Sequence, residues 1–257
     1  MLKKNDKKNS YIKLITIATM VMVPLGVFLI SRNSESSPED PENHIDTPSP
    51  IRQETHQLEI PRILSGTDQD EDGIDDLEDI VQGARLDAMN RPTYRSNYYR
   101  GGYPPDNEGV CTDVIWRAFS HAGYNLKDMV DEDIKNNVTD YPRVQNRPDP
   151  NIDFRRVLNL IPFFKKHATT WTNDLIPNDE ENLVQWQGGD IVVFDQPYSH
   201  IAIVSDRRRE DGVPYIIHNA SPYTLEADHL LYWHENLSPI IHHFRFPKVA
   251  ETTEPRP

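Results

Sequence analysis

The sequence predicts an α+β domain in which a helix packs on an antiparallel sheet. Apolar residues recur at helical spacing at Val114, Ile115, Ala118, Phe119 and Ala122. Short β-branched runs replace this pattern later in the chain, at residues 191–194, 200–204, 215–218 and 240–246. The Asp211-Gly212 pair between two of these runs is typical of a hairpin turn. A helix followed by a meander of strands is an α+β arrangement.

The predicted helix begins near Cys111, buries its apolar stripe and ends around Gly123. We place the folded domain that contains it at residues 83–248. An acidic segment with a helix start precedes the domain at residues 61–82, and a polar tail follows at residues 249–257.

An uncharged, mostly apolar run of seventeen residues, Leu14 to Ile30, follows a lysine-rich amino terminus. Roughly 17–25 residues span a bilayer, so the run is at the short end of that range. By the positive-inside rule, residues 1–13 stay in the cytoplasm and the later chain lies outside the cell. We therefore predict a single-pass signal anchor in the cell membrane at residues 14–31, with the C-terminal domain extracellular. The alternative is a cleaved signal peptide, although residues 31–34 offer no clear small-x-small site.

Residues 32–60 join the anchor to the domain, and their Pro, Ser and acidic residues predict a disordered stalk. The chain of 257 residues carries a formal charge of −14. Residues 1–13 hold five Lys and one Asp, so the rest of the chain carries −18. Such an acidic exterior argues against nucleic acid as a partner, because phosphates are bound by Lys and Arg. A wall or peptide substrate stays open.

Cys111 is the one cysteine of the whole chain. A protein bound for the outside with a single cysteine cannot form an internal disulfide, so we expect this thiol to be free or functional. It follows Gly109 at the predicted helix start, where unpaired N–H groups and the helix dipole favour a thiolate. The position therefore predicts a nucleophile with a lowered pKa. The alternative is a small buried hydrophobe.

Two histidines bracket the predicted hairpin, because His200 opens one strand and His218 closes the next. A nucleophilic thiol needs a base within hydrogen-bond reach and a group that orients this base. If the hairpin pairs symmetrically about Arg209, the two histidines face each other with Cβ atoms about 4.5–5.5 Å apart. We predict His200 as the base and His218 as its orienter. Asn219 is the alternative orienter, since neighbouring strand residues point to opposite faces.

Several segments resemble those of the NlpC/P60 cell-wall peptidases. They are residues 98–102 with 109–111, 189–194, 199–204 and 217–221. The resemblance is closer to a related group of bacterial surface proteins, DUF1287. It depends on residues 109–113, residues 151–157 and the His-x-Arg ending at residues 243–245. The resemblance covers about residues 83–247, with the motifs in the same order.

The resemblance implies a papain-like fold with Cys111, His200 and His218 as a Cys-His-polar triad. It also implies that Tyr98 or Tyr99 lies by the oxyanion position, and the spacing to the cysteine does not choose between them. We keep Asn219 with these tyrosines as a candidate oxyanion or substrate residue. The implied activity is that of a cysteine peptidase or amidase, which hydrolyses an amide bond in peptidoglycan stem peptides and requires no cofactor for catalysis.

Departures from the peptidase pattern leave other functions open. The peptidases usually carry Asp before the cysteine and Ser-Gly after it, whereas this chain has Val110 and Thr112-Asp113, so stem-peptide specificity does not transfer. The alternatives are an acyl-transferring enzyme with the same triad, a wall-binding module without turnover, and a zinc site that includes His200 and His218. The zinc site is disfavoured, because the spacing lacks a zinc pattern. We interpret Asp113 as a helix-start residue, Asp190 as a turn residue, and His242 and His243 as solvated strand residues.

A second site is predicted at residues 68–79, which nearly follow the calcium-loop spacing D-x-D-x-D-G-x₅-E. Oxygen ligands at alternate positions and a glycine at the sharp turn suit a structural Ca²⁺. The predicted ligands are the side chains of Asp68, Asp70, Asp72, Asp76 and Asp79 and the carbonyl of Ile74. Asp79 stands where the pattern has Glu, and the apolar residue falls one place early. The alternative is an acidic helix start, since carboxylates there complement the helix dipole.

Overall fold

The computed structural model describes residues 58–248, which fold as an α+β unit around an antiparallel sheet. The helices are α1 Asp76–Asn90, α2 Cys111–His121, α3 Leu126–Asn136, α4 Val157–His167, α5 Glu180–Leu183 and α6 Leu230–Asn236. The strands are β1 Thr93–Tyr94, β2 Glu108–Gly109, β3 Thr169–Thr170, β4 Ile191–Phe194, β5 His200–Arg208, β6 Pro214–Asn219, β7 Thr224–Ala227 and β8 Ile240–Arg245. Short 3₁₀ turns lie at Val138–Asp140 and Asp153–Arg155. The predicted α+β class and antiparallel sheet are confirmed.

The predicted anchor at residues 14–31 and the predicted tail at residues 249–257 lie outside the described residues, as does most of the predicted stalk. Between residues 58 and 248, no helix combines the length and the apolar character that crossing a membrane requires.

The main sheet has six strands in the order β3-β8-β4-β5-β6-β7, and all of its pairs are antiparallel. The predicted strand runs fall on β4, β5, β6 and β8. β5 and β6 are joined by a turn in which Gly212 has a φ of +82°, a backbone conformation that favours glycine. β1 and β2 form a separate parallel pair in which Tyr94 lies beside Gly109. This pairing brings Tyr94 close to the start of α2.

Both faces of the sheet are buried, and this explains why its strands are continuously apolar. Ile201, Ile203 and Ile217 belong to the layer that includes α1, α2 and α4. Ala202, Val204 and Ile216 point to the opposite layer, which includes Trp186 and Leu230. Successive residues of one strand therefore serve two separate apolar layers.

Helix α2 buries the predicted stripe, since Val114, Ile115, Ala118 and Phe119 are all inaccessible to solvent. Full burial of a large apolar side chain contributes about 1.5–3 kcal/mol, so this stripe holds α2 firmly on the sheet. The helix begins at Cys111, as predicted, and ends at His121. Gly123 follows with a φ of +77°, a conformation that ends helices. The packing thus fixes the position of the cysteine at the other end of the helix.

Candidate active site

Cys111 is the first residue of α2, and its side chain is half-buried against the apolar layer. Burial raises the pKa of the thiol to about 11, and the Asp113 carboxylate adds to the rise. The backbone N–H groups of Ile201, Thr112 and Cys111 itself face the sulfur and lower the pKa. The expectation of a lowered thiol pKa is therefore wrong for this structure. Loss of water disfavours the thiolate more than the helix start favours it.

The Asp113 carboxylate holds the start of α2 together. It accepts hydrogen bonds from the Val110 backbone N–H at 2.7 Å and from Trp116 Nε1 at 2.8 Å. Arg155 donates to both carboxylate oxygens at 2.7 Å, and both side chains are buried. The interpretation of Asp113 as a helix-start residue is confirmed. The ion pair also joins residues 109–113 to residues 151–157, two segments on which the family resemblance depends.

Three histidines form a hydrogen-bonded chain at the carboxyl end of β6. His200 Nε2 lies 2.8 Å from His218 Nδ1, and His218 Nε2 lies 3.0 Å from His229 Nδ1. Two sets of tautomers satisfy the chain, and in one of them each of the first two rings donates through Nε2–H. This set leaves His200 Nδ1 as the nitrogen available to a thiol. The rings bond in series, so their nitrogens do not converge on one point as zinc ligands do.

The pairing that joins the first two histidines differs from the predicted one. β5 pairs with β6 at Ile203↔Ile217, so His218 lies opposite Ala202 and not opposite His200. The assumed symmetric hairpin is wrong, because the register of the β5–β6 pair shifts between Val204 and Arg208. The two histidines are instead diagonal neighbours on one face, and aromatic rings are long enough to meet across that diagonal.

The histidine chain lies on the sheet face that α6 covers, whereas α2 packs on the opposite face. The Trp233 ring of α6 lies over His200, with ring centroids 4.6 Å apart. Cys111 reaches the start of β5 from the other side, where its thiol faces the Ile201 N–H. Within residues 58–248, no hydrogen bond joins the thiol to His200. The candidate site therefore lies at the end of the sheet where β5 begins, with Cys111 approaching from one face and His200 pointing to the other.

Burial also controls the charge of the histidines. It lowers the pKa of His200 to about 3. Burial lowers the pKa of His218 as well, and the neighbouring His200 and His229 rings lower it further. The pKa of His229 is lowered by burial and raised in part by Asp228. At neutral pH, the thiol and the His200 imidazole are thus an uncharged pair and not a thiolate–imidazolium pair.

The two tyrosines predicted near the oxyanion are each bonded to a carboxylate. Tyr99 donates from its hydroxyl to Glu108 at 2.6 Å, and Tyr98 donates to Asp149 at 3.1 Å. The Tyr98 side chain is 60% exposed at the surface. The assignment of either residue to the oxyanion stays a prediction.

Tyr94 lies beside the candidate nucleophile. Burial raises the pKa of the Tyr94 phenol, and a Cys111 thiolate is near enough to raise it further. Asn219 approaches the same region from β6, where its side-chain amide donates to the carbonyl oxygens of Pro92 at 3.0 Å and Gly109 at 3.4 Å. The two candidate orienting residues on β6 therefore have different contacts. His218 hydrogen-bonds to His200, whereas Asn219 hydrogen-bonds to the segment before Cys111.

Asp190 forms a second buried ion pair, at the start of β4. Arg245 donates to its carboxylate oxygens at 2.7 and 2.8 Å, and His243 Nε2 lies 2.9 Å from the same group. Burial alone would raise the pKa of Asp190, but Arg245 and His243 hold it below its usual value. The interpretation of His243 as solvated is wrong, because its ring is buried and stacks on Trp186 with centroids 3.8 Å apart. His242 is half-buried.

The predicted calcium ligands are Asp68, Asp70, Asp72, Ile74, Asp76 and Asp79. The first three are exposed and bring one carboxylate oxygen each within 4.8 Å of the others. The last two are buried in the first turn of α1. The assignment of these residues to calcium stays a prediction.

Fold and site together define an α+β protein with one cysteine and a histidine chain at the end of an antiparallel sheet. Residues 81–246 match the family described as "Domain of unknown function (DUF1287)". The chain belongs to this family, as its motifs predict. The relation to the NlpC/P60 peptidases stays a prediction.

A relative in Escherichia coli (strain K12), described as "Uncharacterized protein YijF", is 37% identical over 175 residues, which cover 65% of this chain and 80% of the relative. A crystal structure described as an N-acetylmuramoyl-L-alanine amidase from Bacteroides uniformis ATCC 8492 aligns with a TM-score of 0.39 at 12% identity. That alignment covers 67% of this chain and 99% of the amidase chain. A likeness at this score is too weak to bear on the fold or the activity of this chain.

Sequence reasoning missed three side chains of the site, namely Tyr94, His229 and Trp233. Tyr94 is on a strand of two residues, which is too short to show a periodic pattern. His229 and Trp233 are four residues apart at the start of α6, so they share one helix face. The four-residue spacing of these two ring side chains is the feature of the sequence that could have predicted their common position.

Proposed function

We propose that this protein is a cysteine hydrolase that cleaves an amide bond in the peptide part of peptidoglycan. The observation that carries the proposal is the 2.8 Å His200–His218 hydrogen bond, beside the strand end that the Cys111 thiol faces. Nucleophilic thiol catalysis needs a thiol, a base and a group that orients the base. The proposed roles are Cys111 as nucleophile, His200 as base and His218 as the positioning residue.

The proposed reaction starts from the neutral thiol. The Cys111 sulfur attacks the carbonyl carbon while its proton passes to His200 Nδ1, and the carbonyl electron pair moves to oxygen. The tetrahedral intermediate then expels the amine, which takes the proton from His200 and leaves a thioester. Water attacks the thioester carbonyl carbon and gives a proton to His200, and the new tetrahedral intermediate then releases the carboxylic acid by breaking the carbon–sulfur bond. The departing Cys111 sulfur takes the proton back from His200, which restores the neutral thiol and imidazole.

The two buried side chains make charge separation unfavourable before the substrate binds. Because burial raises the pKa of Cys111 and lowers that of His200, the proton is expected to move only as the carbon–sulfur bond forms. His218 accepts the His200 Nε2–H and so keeps Nδ1 toward the nucleophile. Closure of the gap between thiol and imidazole accompanies substrate binding, as catalytic hydrogen bonds often tighten in the complex.

Stabilisation of the oxyanion is assigned to the start of α2. The backbone N–H of Cys111 lies at a helix amino terminus, where unpaired donors favour negative charge. Tyr94 is the tyrosine that we add to this group, because the β1–β2 pairing places it beside Gly109, two residues before Cys111. Tyr98 and Tyr99 then remain as candidates for contact with the rest of the substrate.

The substrate class and the location are supported by the sequence. The motifs that resemble cell-wall peptidases favour an amide bond of peptidoglycan as the substrate class, and the predicted anchor at residues 14–31 would hold the domain at the outer side of the membrane. The same triad also suits acyl transfer to an amine, and a wall-binding module without turnover is the alternative from another class.

Product analysis tests this function directly. Full-length protein purified in detergent is incubated with soluble peptidoglycan fragments, and the products are identified by mass spectrometry. We expect the wild type to release one new amine and one new carboxylate. Cys111→Ala is expected to release none, and His200→Gln is expected to be slower by about 10³-fold, the scale of general-base loss. His242→Gln, on β8, is the matched control and is expected to keep full activity.

The other outcomes identify the alternatives. A product that carries an added amine nucleophile would indicate transfer and not hydrolysis. Wall binding without product in the wild type, unchanged in Cys111→Ala, would replace the proposal with the binding module. Alkylation of the thiol cannot substitute for product analysis, since a pKa of about 11 makes the free thiol slow to react at neutral pH.

A further inference from the structure

The loop before α1 gathers three carboxylates at the surface. One oxygen each of Asp68, Asp70 and Asp72 lies within 4.8 Å of the others. The loop turns sharply at Gly73, with a φ of +90°. The Asp68 carboxylate accepts hydrogen bonds from the backbone N–H groups of Asp72 at 3.1 Å and Gly73 at 2.9 Å. These contacts shape the loop but leave three negative charges close together, which is unfavourable without a counter-charge.

Asp79 supplies an independent observation. Its side chain is 1% exposed, and neither carboxylate oxygen has a hydrogen-bond partner among the described residues. The nearest cationic candidate is His121, whose Nδ1 lies 3.6 Å from Asp79 Oδ1 and is itself without a hydrogen bond. A buried carboxylate without partners is costly, so native proteins pair it or use it to coordinate a metal.

Asp79 is on the first turn of α1, three residues after Asp76. The Asp76 carboxylate accepts a hydrogen bond from the Gln69 backbone N–H at 2.8 Å, and residues three apart share a helix face. Asp79 therefore lies on the helix face next to the loop that carries the exposed carboxylates. A cation in the cluster would balance all of them.

We propose that residues 68–79 bind one Ca²⁺ through the carboxylates of Asp68, Asp70, Asp72 and Asp79 and the carbonyl of Ile74. Hard carboxylate and carbonyl oxygens are the ligands that Ca²⁺ prefers, and water completes a shell of 6–8 oxygens. The buried Asp79 closes the site from the side of α1.

Asp76, which the sequence also predicts as a ligand, has a different role in this proposal. Its carboxylate accepts hydrogen bonds from the Gln69 backbone N–H at 2.8 Å and from the Tyr124 hydroxyl at 2.6 Å. A Cβ atom on Gly123 would lie 2.8 Å from Asp70 Cβ, so the loop lies directly on the residues that end α2. Asp76 therefore ties the calcium loop to the far end of the helix that begins at Cys111.

The site precedes the region that matches the family, which begins at residue 81. It is a feature of this chain that the proposed hydrolysis does not use. We expect Ca²⁺ to act on stability, through the contact between the loop, α1 and the end of α2.

Calorimetric titration and thermal unfolding test the site. Full-length protein in detergent is stripped with EDTA and titrated with CaCl₂. We expect one Ca²⁺ per chain with a Kd of about 10⁻⁴ M or tighter, the range of extracellular and sensor sites. Asp79→Asn is expected to weaken binding at least about tenfold, and Asp70→Asn is expected to do the same. Glu71→Gln removes a charge from the same loop at a position outside the ligand set, and it is expected to bind within about twofold of the wild type.

Stability without metal separates a calcium ligand from an ion-pair partner. If Asp79 is a calcium ligand, Asp79→Asn raises the Tm of the metal-free protein and abolishes the rise in Tm that CaCl₂ produces in the wild type. If Asp79 instead pairs with His121, Asp79→Asn and His121→Gln both lower the Tm, with or without CaCl₂. That second pattern, or a wild type that binds no Ca²⁺ at 10-fold above the expected Kd, would overturn the proposal.

Discussion

The buried carboxylates of two ion pairs have counter-charges, whereas the candidate catalytic groups, a half-buried thiol and a buried imidazole, have none among the described residues. The carboxylates of Asp113 and Asp190 each meet one guanidinium through two hydrogen bonds of 2.7–2.8 Å. Burial instead keeps Cys111 and His200 neutral, and no opposite charge faces them among the described contacts. The ion pairs are charged and hold the fold together, whereas in the proposed reaction the neutral thiol passes its proton to the imidazole as the substrate binds.

This difference separates the parts that hold the fold from the parts that can do chemistry. The Asp113–Arg155 pair fixes the start of α2, and the Asp190–Arg245 pair joins β4 to β8. The first pair thus fixes the helix that carries Cys111, and the second fixes β4, which pairs with the strand that carries His200. Asp79 is a third case, a buried carboxylate that has no hydrogen bond among the described residues and lies 3.6 Å from His121 Nδ1.

The largest effect on the free energy of unfolding is expected from breaking a buried ion pair. Asp190→Asn leaves the Arg245 guanidinium buried without its counter-charge, and breaking such a pair costs about 3–5 kcal/mol. We expect the free energy of unfolding, measured by urea denaturation, to fall by that amount. Activity on peptidoglycan fragments should follow the folded fraction only.

An exposed ion pair is the matched control. Glu78 lies 2.7 Å from Arg62 at the surface, and both side chains are substantially exposed. Glu78→Gln should change the free energy of unfolding by less than about 1 kcal/mol. If Asp190→Asn were as mild, or if it abolished activity in a fully stable protein, the division between structural and chemical groups would be wrong.

A smaller effect on the free energy of unfolding is expected from a change of pH, and it arises from the buried neutral histidines. The pKa of His200 is about 3 in the folded protein and about 6.5 in the unfolded chain, so the unfolded chain binds more protons between these values. The contribution of His200 to stability is therefore complete above pH 6.5 and decreases as the pH falls, whereas Asp79, whose pKa burial raises to about 6, acts in the opposite direction below that value. His200 alone contributes about 1.4 kcal/mol per pH unit in this window, and His218 acts in the same direction.

Urea denaturation between pH 6.5 and pH 4.5 measures this slope. The carboxylates of Asp190 and Asp133 have lowered pKa values, so their stabilising effect is lost only at lower pH. His200→Gln should flatten the slope by about 1.4 kcal/mol per unit relative to the wild type. An equal slope in both proteins would show that His200 is not held neutral by burial.

The parts predicted from the sequence are those whose signal is local. The helix at residue 111 and the strand runs follow from apolar periodicity, and the family follows from short motifs. The direction of the thiol pKa was wrong because it depends on how deeply the sulfur is buried, which periodicity does not report. The pairing of His200 with His218 was predicted, but its register depends on an irregular hairpin. His243 was misassigned because its partners, Asp190 and Trp186, are distant in sequence.

The smallest effect is expected on kcat, from removing the hydroxyl of a tyrosine with a hydrogen-bond partner or of one without. Tyr99 donates to Glu108, whereas the Tyr94 hydroxyl has no hydrogen-bond partner in the part of the chain that the structure describes. If Tyr94 donates to the oxyanion, Tyr94→Phe lowers kcat by about tenfold, equivalent to about 1.4 kcal/mol, with little change in KM or Tm. Tyr99→Phe, which removes a hydroxyl that is already engaged, should lower kcat by less than about twofold. The reverse order would return the oxyanion role to Tyr99, one of the two tyrosines that the family resemblance implies, and would make the Tyr94 hydroxyl a surface group beside the thiol.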